Sequence, residues 1–354
     1  MKRILIHGAL FSIVLFVVLE LFFRFVLPAS SWPRGVYEES GIRKFDSESF
    51  TSGVYTYGRY CRGRYTWSIN GQGWNSIFDY ETAAERNKPA VAILGDSYLE
   101  GFFSDVDKHV DVFLTELFQG QVGFYTFAMS GGFLAQYIAI IDHHAERFEP
   151  DAYVIFVNAA DVAASIRQLS FRHPYYFQYS REPDGSYQIV RTPAVSRSPL
   201  RDRLLASSLV RYLRSNVQLK ALGGGLADAN AAEDEPAQKR RPESDPAALQ
   251  EAAGFLLSRL NALGKPVLLV ADCPKAWIYE GGDRTDYPDV IALKDVLPGH
   301  DNIALLELAP FYEEEFRKSG RRFSVSHNNH WDAYTNQFIA RTIQGHVSGL
   351  LQPR

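Results

Sequence analysis

The stretch Ile93-Leu94-Gly95-Asp96-Ser97-Tyr98-Leu99-Glu100-Gly101 places a serine directly after a continuous apolar run, where a chain leaving a buried strand turns toward a helix. Ligands of open α/β sheets bind at the carboxyl ends of the strands, so a serine at that point is set for nucleophilic chemistry. The tripeptide Gly-Asp-Ser alone arises by chance about once in ten chains of this length, so its position carries more weight than its letters. A serine nucleophile needs a base to take its proton. The candidate is His330, in Ser326-His327-Asn328-Asn329-His330-Trp331-Asp332. It also needs donors for the oxyanion that forms on an attacked carbonyl. The backbone amides of Ser97 and of the turn Ser130-Gly131-Gly132 suit this, because glycine lets the backbone approach a substrate closely. Asn158, at the end of the apolar run Tyr153 to Val157, is a side-chain candidate for the same role.

The elements that must hold these residues alternate between strand and helix. Ala90 to Leu94 and Tyr153 to Val157 are continuous apolar runs of the kind buried on both faces of a parallel sheet, and Pro266 to Ala271 and Ile303 to Leu308 supply further strands. Phe124 to Phe127 is a shorter strand candidate. Helical spacing covers His109 to Phe118, Leu134 to Phe148, Pro246 to Leu263 and Ala333 to Leu351. The alternation predicts an α/β fold with a parallel sheet covered by helices. Tyr175 to Arg191 reads as a hairpin turning at Pro183-Asp184-Gly185, and Pro199 to Leu222 as an amphipathic helix. Residues 223–245 shift to Gly, Ala, Asp, Glu, Pro and basic residues, the composition of a disordered surface insertion.

The N-terminus reads Met1-Lys2-Arg3 and then an apolar run over residues 4–27, interrupted by His7, Glu20 and Arg24. About 20 apolar helical residues span a bilayer core, so this run predicts a membrane anchor. Glu20 and Arg24 stand at i and i+4, where they pair and reach for the interface. Lys2 and Arg3 place the short N-terminus in the cytoplasm and everything after Leu27 across the membrane. A cleaved signal peptide and a buried core helix are the alternatives; Leu27-Pro28-Ala29 is a poor cleavage site.

With 46% hydrophobic and 22% charged residues the composition is globular, and a formal net charge of −4 excludes a phosphate-neutralising nucleic-acid binder. The two cysteines, Cys61 and Cys273, are equally readable as one disulfide or two free thiols. His143 and His144 have no partner carboxylate at ligand spacing and read as a solvated helix face, so neither metal nor cofactor is expected. The tyrosines and tryptophans between residues 55 and 74 read as core or membrane-interface aromatics ahead of a sugar-stacking surface.

In order and spacing the chain from about Ala90 onward resembles the SGNH (GDSL-like) hydrolase family, whose four motifs centre on Ser, Gly, Asn and His. Gly95-Asp96-Ser97 matches the nucleophile motif, Ser130-Gly131 the glycine motif, and His330-Trp331 the histidine motif before a closing helix. Ser68-Ile69-Asn70-Gly71-Gln72-Gly73-Trp74 resembles the lead-in of membrane-anchored members associated with surface polysaccharide genes. The resemblance implies a flavodoxin-like three-layer αβα sandwich over residues 89–354, behind an anchor at 1–29 and a lead-in of short strands and loops at 30–88.

Two departures from the family pattern stand out. The third motif, Gly-x-Asn-Asp in the family, is Asn158-Ala159-Ala160-Asp161 here, so Ala160 occupies the oxyanion position. Asn158, two residues earlier and on the same side of an extended chain, is either the substitute donor or a structural residue. The family aspartate before the histidine is replaced by His327 or Asn328. Asn328 accepts from the imidazole Nδ1–H in the manner of a Cys-His-Asn site, but without a charge. Asp332 either substitutes or caps the last helix.

The resemblance implies Ser97 as nucleophile, His330 as base, Asn328 as its orienting partner, and an oxyanion hole from Ser97, Gly131 and Asn158. It implies an extracytoplasmic (periplasmic) esterase or acyl transferase acting on cell-surface carbohydrate, in the company of envelope polysaccharide machinery. The departures open two alternatives. One is a protein that binds or scaffolds an envelope polysaccharide without cleaving it; the other is a lipid-directed esterase.

Overall fold

The structure is a computed structural model that describes residues 2–61, 63–170, 176–191, 199–217, 245–280, 287–325 and 329–352. The chain begins with α1 (Lys2–Leu21), prolonged by a π-helical turn over Phe22–Val26, and none of these residues is buried. The helix over Lys2–Val26, 25 residues, is long and apolar enough to cross a membrane. Two antiparallel pairs follow: β1 (Gly35–Tyr37) with β2 (Arg43–Phe45), and β3 (Ser52–Tyr57) with β4 (Gly63–Ser68).

The main body then runs β5 (Ala90–Gly95), α2 (Ser97–Glu100), α3 (Val110–Leu117), β6 (Gly123–Ala128), α4 (Leu134–His143), β7 (Ala152–Val157) and α5 (Asp161–Ser165). The hairpin β8 (Phe177–Arg181) and β9 (Tyr187–Arg191), and the short helices α6 (Pro199–Ala206) and α7 (Ser208–Arg211), interrupt it. It resumes as α8 (Pro246–Asn261), β10 (Val267–Ala271), α9 (Lys275–Glu280), α10 (Pro288–Val296), β11 (Ile303–Glu307), α11 (Ala309–Ser319) and α12 (Ala333–Leu350).

Five strands form one parallel sheet in the order β6-β5-β7-β10-β11. This is the flavodoxin-like order, in which strand addition reverses direction between β5 and β7. The central strands are apolar throughout because both faces are covered. In β5, Ala90, Ala92 and Leu94 pack with α4 and α8, while Val91 and Ile93 pack with α3 and α12 on the other face. Right-handed crossovers put α3 on one side for the step to β6, and α4, α8 and α10 on the other for the steps running the opposite way. The reversal falls between β5 and β7, whose carboxyl ends lead into Ser97 and Asn158; ligands of open α/β sheets bind at such a point.

The lead-in is fastened to this sheet. Asn70 curls its own loop by accepting from Gln72 N (3.1 Å) and Trp74 N (2.9 Å) while donating Nδ2 to Phe78 O (2.8 Å). The curl delivers Trp74, 1% exposed, edge-on against Phe127 of β6, with its Nε1 donating to His144 Nε2 at 3.0 Å. His144 is therefore buried rather than solvated, since Trp74 and Glu38 cover it; His143 is the exposed member of the pair. Asn75 Nδ2 donates to Glu100 O at 2.7 Å, so the lead-in also touches the helix that begins with Ser97.

Pro199 to Leu222 is not one helix within its described part. It breaks after Ala206 because a new helix start is capped there: Ser207 Oγ accepts from Val210 N (3.3 Å), and the Glu20 carboxylate accepts from Ser208 N (2.9 Å) and Leu209 N (3.1 Å). A π-helical turn over Tyr212–Asn216 follows α7. Residues 223–244 of the expected insertion lie outside the described residues, and Asp245 caps α8 through Ala247 N. Cys61 and Cys273 are free thiols.

Candidate active site

β5 ends at Gly95, Asp96 caps the next helix by accepting from Tyr98 N at 3.0 Å, and Ser97 is the first residue of α2. The first amides of a helix have no acceptor within it, so the Ser97 N–H points out of the strand-to-helix turn. Ser97 is 9% exposed, and its Oγ lies 2.8 Å from His330 Nε2. The two residues are 233 positions apart in sequence, and the sheet brings them within one hydrogen bond.

His330 sits in the loop before α12. Its ring lies between Tyr98 (centroids 4.7 Å apart, 23° between planes) and Phe103 (4.2 Å, 27°), so both faces are covered and the edge is aimed at Ser97. Val325 N donates to the His330 carbonyl at 2.9 Å. The next residue, Trp331, is 2% exposed, packs on Phe156 of β7, and donates Nε1 to Asp272 Oδ2 at 3.1 Å. Asp272 follows β10 as Ser97 follows β5, and its other oxygen pairs with the buried Lys275, whose ammonium stands 4.1 Å from the Tyr312 ring centroid. Asp332 is the cap of α12, accepting from Thr335 N (2.8 Å) and Thr335 Oγ1 (2.6 Å). Ser326, His327 and Asn328, the last expected from the sequence to orient His330, lie outside the described residues.

On the other flank, Ser130 and Gly131 follow β6, which pairs with β5 in the register Gly95 to Ala128. Ser130 Oγ donates to the buried Glu100 of α2, and Tyr176 OH donates to Ser130 O, so the loop is held against the Ser97 helix. Gly131 has φ +72°, a conformation that suits glycine, and the turn is closed by Gly132 N on Met129 O at 2.9 Å, which leaves the Gly131 amide outside that bond.

Asn158 follows β7. Its Nδ2 donates to Asp96 Oδ2 at 2.6 Å, a bond that spans the point where strand order reverses. One of its two side-chain N–H groups is committed to that bond, which leaves one for an oxyanion. Asn158 N donates to Asp161 Oδ2 at 3.1 Å, and Ala160, at the start of α5, carries no donor side chain. Beneath the site, burial pushes the Tyr137 hydroxyl well above its usual range, and the nearby carboxylates of Asp161 and Asp96 push it further.

Sequence reasoning passed over Tyr98, Phe103, Asp272 and Lys275. Asp272 was findable, since it ends a buried strand as Ser97 and Asn158 do; the aromatic clamp on His330 was not, because nothing in the spacing of Tyr98 and Phe103 marks them as stacking on a distant ring. A serine hydrogen-bonded to an imidazole, with backbone amides close by, can attack a carbonyl carbon and pass an acyl group to water or a hydroxyl.

No family model matches the chain, and no curated protein sequence matches it. Among solved structures it is similar to a lipase/acylhydrolase from Enterococcus faecalis, with a TM-score of 0.41 and 12% identity over 75% of this chain and 98% of that one. It is also similar to an acetyl xylan esterase (TM-score 0.42, 11% identity, 73% of this chain and 99% of that one). The structure named TesA gives a TM-score of 0.42 and 13% identity over 74% of this chain and 99% of that one. At these scores the likenesses bear on neither activity nor substrate.

Proposed function

We propose that this chain is a membrane-anchored serine esterase or acyl transferase of the SGNH type, acting outside the cytoplasmic membrane on ester groups of cell-surface carbohydrate. The observation that carries the reading is the 2.8 Å contact between His330 Nε2 and Ser97 Oγ at the point where the strand order of a flavodoxin-like sheet reverses. Ser97 Oγ attacks the ester carbonyl carbon as its proton passes to His330 Nε2. The oxyanion accepts from the Ser97 and Gly131 amides and from the remaining Asn158 N–H. The intermediate collapses with cleavage of the C–O bond, and the leaving alcohol takes the proton from His330. Water or an acceptor hydroxyl, deprotonated in turn by His330, then attacks the acyl-serine and frees Ser97. Asn328 orients the imidazole. Carbohydrate as substrate, the envelope polysaccharide setting and the periplasmic side rest on the resemblance of the sequence motifs and on the apolar helix over Lys2–Val26.

Labelling of the full chain in detergent with a fluorophosphonate probe tests this. Labelling that is lost in Ser97→Ala and in His330→Ala is the expected result; a folded wild type that stays unlabelled overturns the enzyme assignment. One observation favours a second reading, a polysaccharide-binding protein without turnover: Ala160 supplies no side-chain amide, and Asn158 already spends one N–H on Asp96. That reading expects glycan binding that survives Ser97→Ala.

A further inference from the structure

The helix that starts the chain does not simply tether the main body. Near its far end Glu20 turns its carboxylate onto α7, accepting from Ser207 Oγ (2.8 Å), Ser208 N and Leu209 N, and from Arg24 at 3.1 Å. Phe23 stacks on Tyr212 with centroids 3.9 Å apart. Tyr212 OH donates to Arg59 O in the β3–β4 turn, and Asn216 Nδ2 donates to Thr56 Oγ1 (2.9 Å) and Gly58 O (3.2 Å). Two segments distant in sequence, 207–216 and 56–59, are thus clasped at one end of one helix.

That clasp decides where they stand. The helix over Lys2–Val26 has 25 residues and is about 37 Å long at 1.5 Å per residue, against a hydrocarbon core of about 30 Å. Its last turns, which carry Glu20, Phe23 and Arg24, therefore reach the outer boundary of a bilayer it spans. The clasped segments present what that boundary favours. Leu200 (66% exposed) and Leu204 share one face of α6 at i and i+4, and Tyr60 (75% exposed) tips the β3–β4 turn beside the exposed Arg59. Arg203 is exposed on α6, and the Arg24 side chain is half exposed. Apolar and aromatic tips next to guanidinium groups match the acyl edge and the phosphates of a lipid headgroup layer.

We propose that α6, α7 and the β3–β4 turn form a collar that lies on an anionic phospholipid surface. Leu200, Leu204 and Tyr60 enter the interface, and Arg24, Arg59 and Arg203 engage lipid phosphates. The collar rests on the membrane-spanning reading of α1 given above, and it fixes the height and tilt of the Ser97–His330 pair over the bilayer.

Photocrosslinking of the full chain in nanodiscs of mixed phosphatidylglycerol and phosphatidylcholine tests it. Val14, Leu204, Tyr60 and Ile291 are each replaced in turn by p-benzoyl-phenylalanine, and lipid adducts are read by mass spectrometry. Val14 lies within α1, and Ile291 is an exposed apolar residue of α10 near the β11 edge, at the opposite end of the sheet from β6. The expected result is lipid adduct at Val14, Leu204 and Tyr60, none at Ile291, and loss of the Leu204 and Tyr60 adducts to phosphatidylglycerol in Arg59→Gln/Arg203→Gln. Adduct at Val14 with none at Leu204 and Tyr60 overturns the collar and leaves the anchor standing. No adduct at Val14 overturns the anchor and the collar together.

Discussion

Trp331 Nε1 donates to Asp272 Oδ2 at 3.1 Å, and that bond joins the carboxyl end of β10 to the residue that follows His330. Together with the rings of Tyr98 and Phe103 on its two faces, it leaves the imidazole little freedom to leave Ser97. The clamp sits on strand ends and packed rings rather than on the loop alone.

Trp331→Phe keeps the apolar packing and removes the bond. A small misplacement of a catalytic group costs on the order of ten- to a hundredfold in rate, so the rate of Ser97 phosphonylation by a fluorophosphonate should fall by about that factor, with unfolding temperature nearly unchanged. An unchanged labelling rate would show that Trp331 serves packing only.

Asp272→Ala strands the Lys275 ammonium in the core. Breaking one side of a buried pair costs about 3–5 kcal/mol, and replacing both charges by apolar groups restores much of it. Thermal unfolding in detergent should therefore rank wild type above Asp272→Ala/Lys275→Met, and that double variant well above Asp272→Ala. A double variant no better than the single one would remove the ion pair from the account.

Asn158→Ala separates its two uses. If the free N–H serves the oxyanion, the labelling rate falls by about 10²- to 10³-fold, the usual cost of one lost oxyanion donor. If Asn158 only braces Asp96, melting temperature falls and labelling of the folded fraction changes by less than about tenfold, within the cost of small misplacement.

His144 makes stability depend on pH. Burial lowers its pKa from 6.5 to about 4, against the opposing effect of the Glu38 carboxylate, so the folded state keeps it neutral while the unfolded state protonates near 6.5. The unfolded state thus binds more protons between those values, and stability present above pH 6.5 is lost as pH falls toward 4, with a slope of up to about 1.4 kcal/mol per pH unit. His144→Gln, which retains an acceptor for Trp74, should flatten unfolding temperature between pH 6.5 and 4.5. The pKa of Glu38 is lowered below 4.5, so its own loss comes at lower pH; groups such as His109, whose pKa burial also lowers, contribute to the slope that remains. An equal slope in wild type and His144→Gln would contradict the assignment.

Gly73→Ala probes the lead-in. Gly73 has φ +90°, and a Cβ there would stand 2.6 Å from Phe45 O. A strained conformation plus a backbone clash should cost about 2 kcal/mol or more, visible as a lowered melting temperature. A tolerated alanine would mean that the Asn70 loop can rearrange without freeing Trp74.

Much of this molecule is legible in its sequence. The apolar runs Ala90 to Leu94 and Tyr153 to Val157 became β5 and β7 with shifts of a residue at their ends, because a strand buried on both faces needs only a continuous apolar stretch. Ser97, Gly131 and Asn158 were marked by their place just past such strands, and His330 by its place before the closing helix. The use of Asp332 as a helix cap was among the readings open from sequence, and it is a local matter of three residues.

What the sequence determined by itself is therefore what short-range chemistry dictates: the strand and helix alternation, the apolar N-terminal helix, the serine at a strand end and a histidine just before the closing helix. Tertiary structure alone decided the rest. The break at Ser207 needs Glu20, 187 residues away; the burial of His144 needs Trp74, 70 residues away; the clamp on His330 needs Asp272, 59 residues from Trp331. Each depends on a side chain supplied from another part of the chain. Periodicity and local propensity describe only neighbours along the chain, so no window of sequence contains both halves of these contacts.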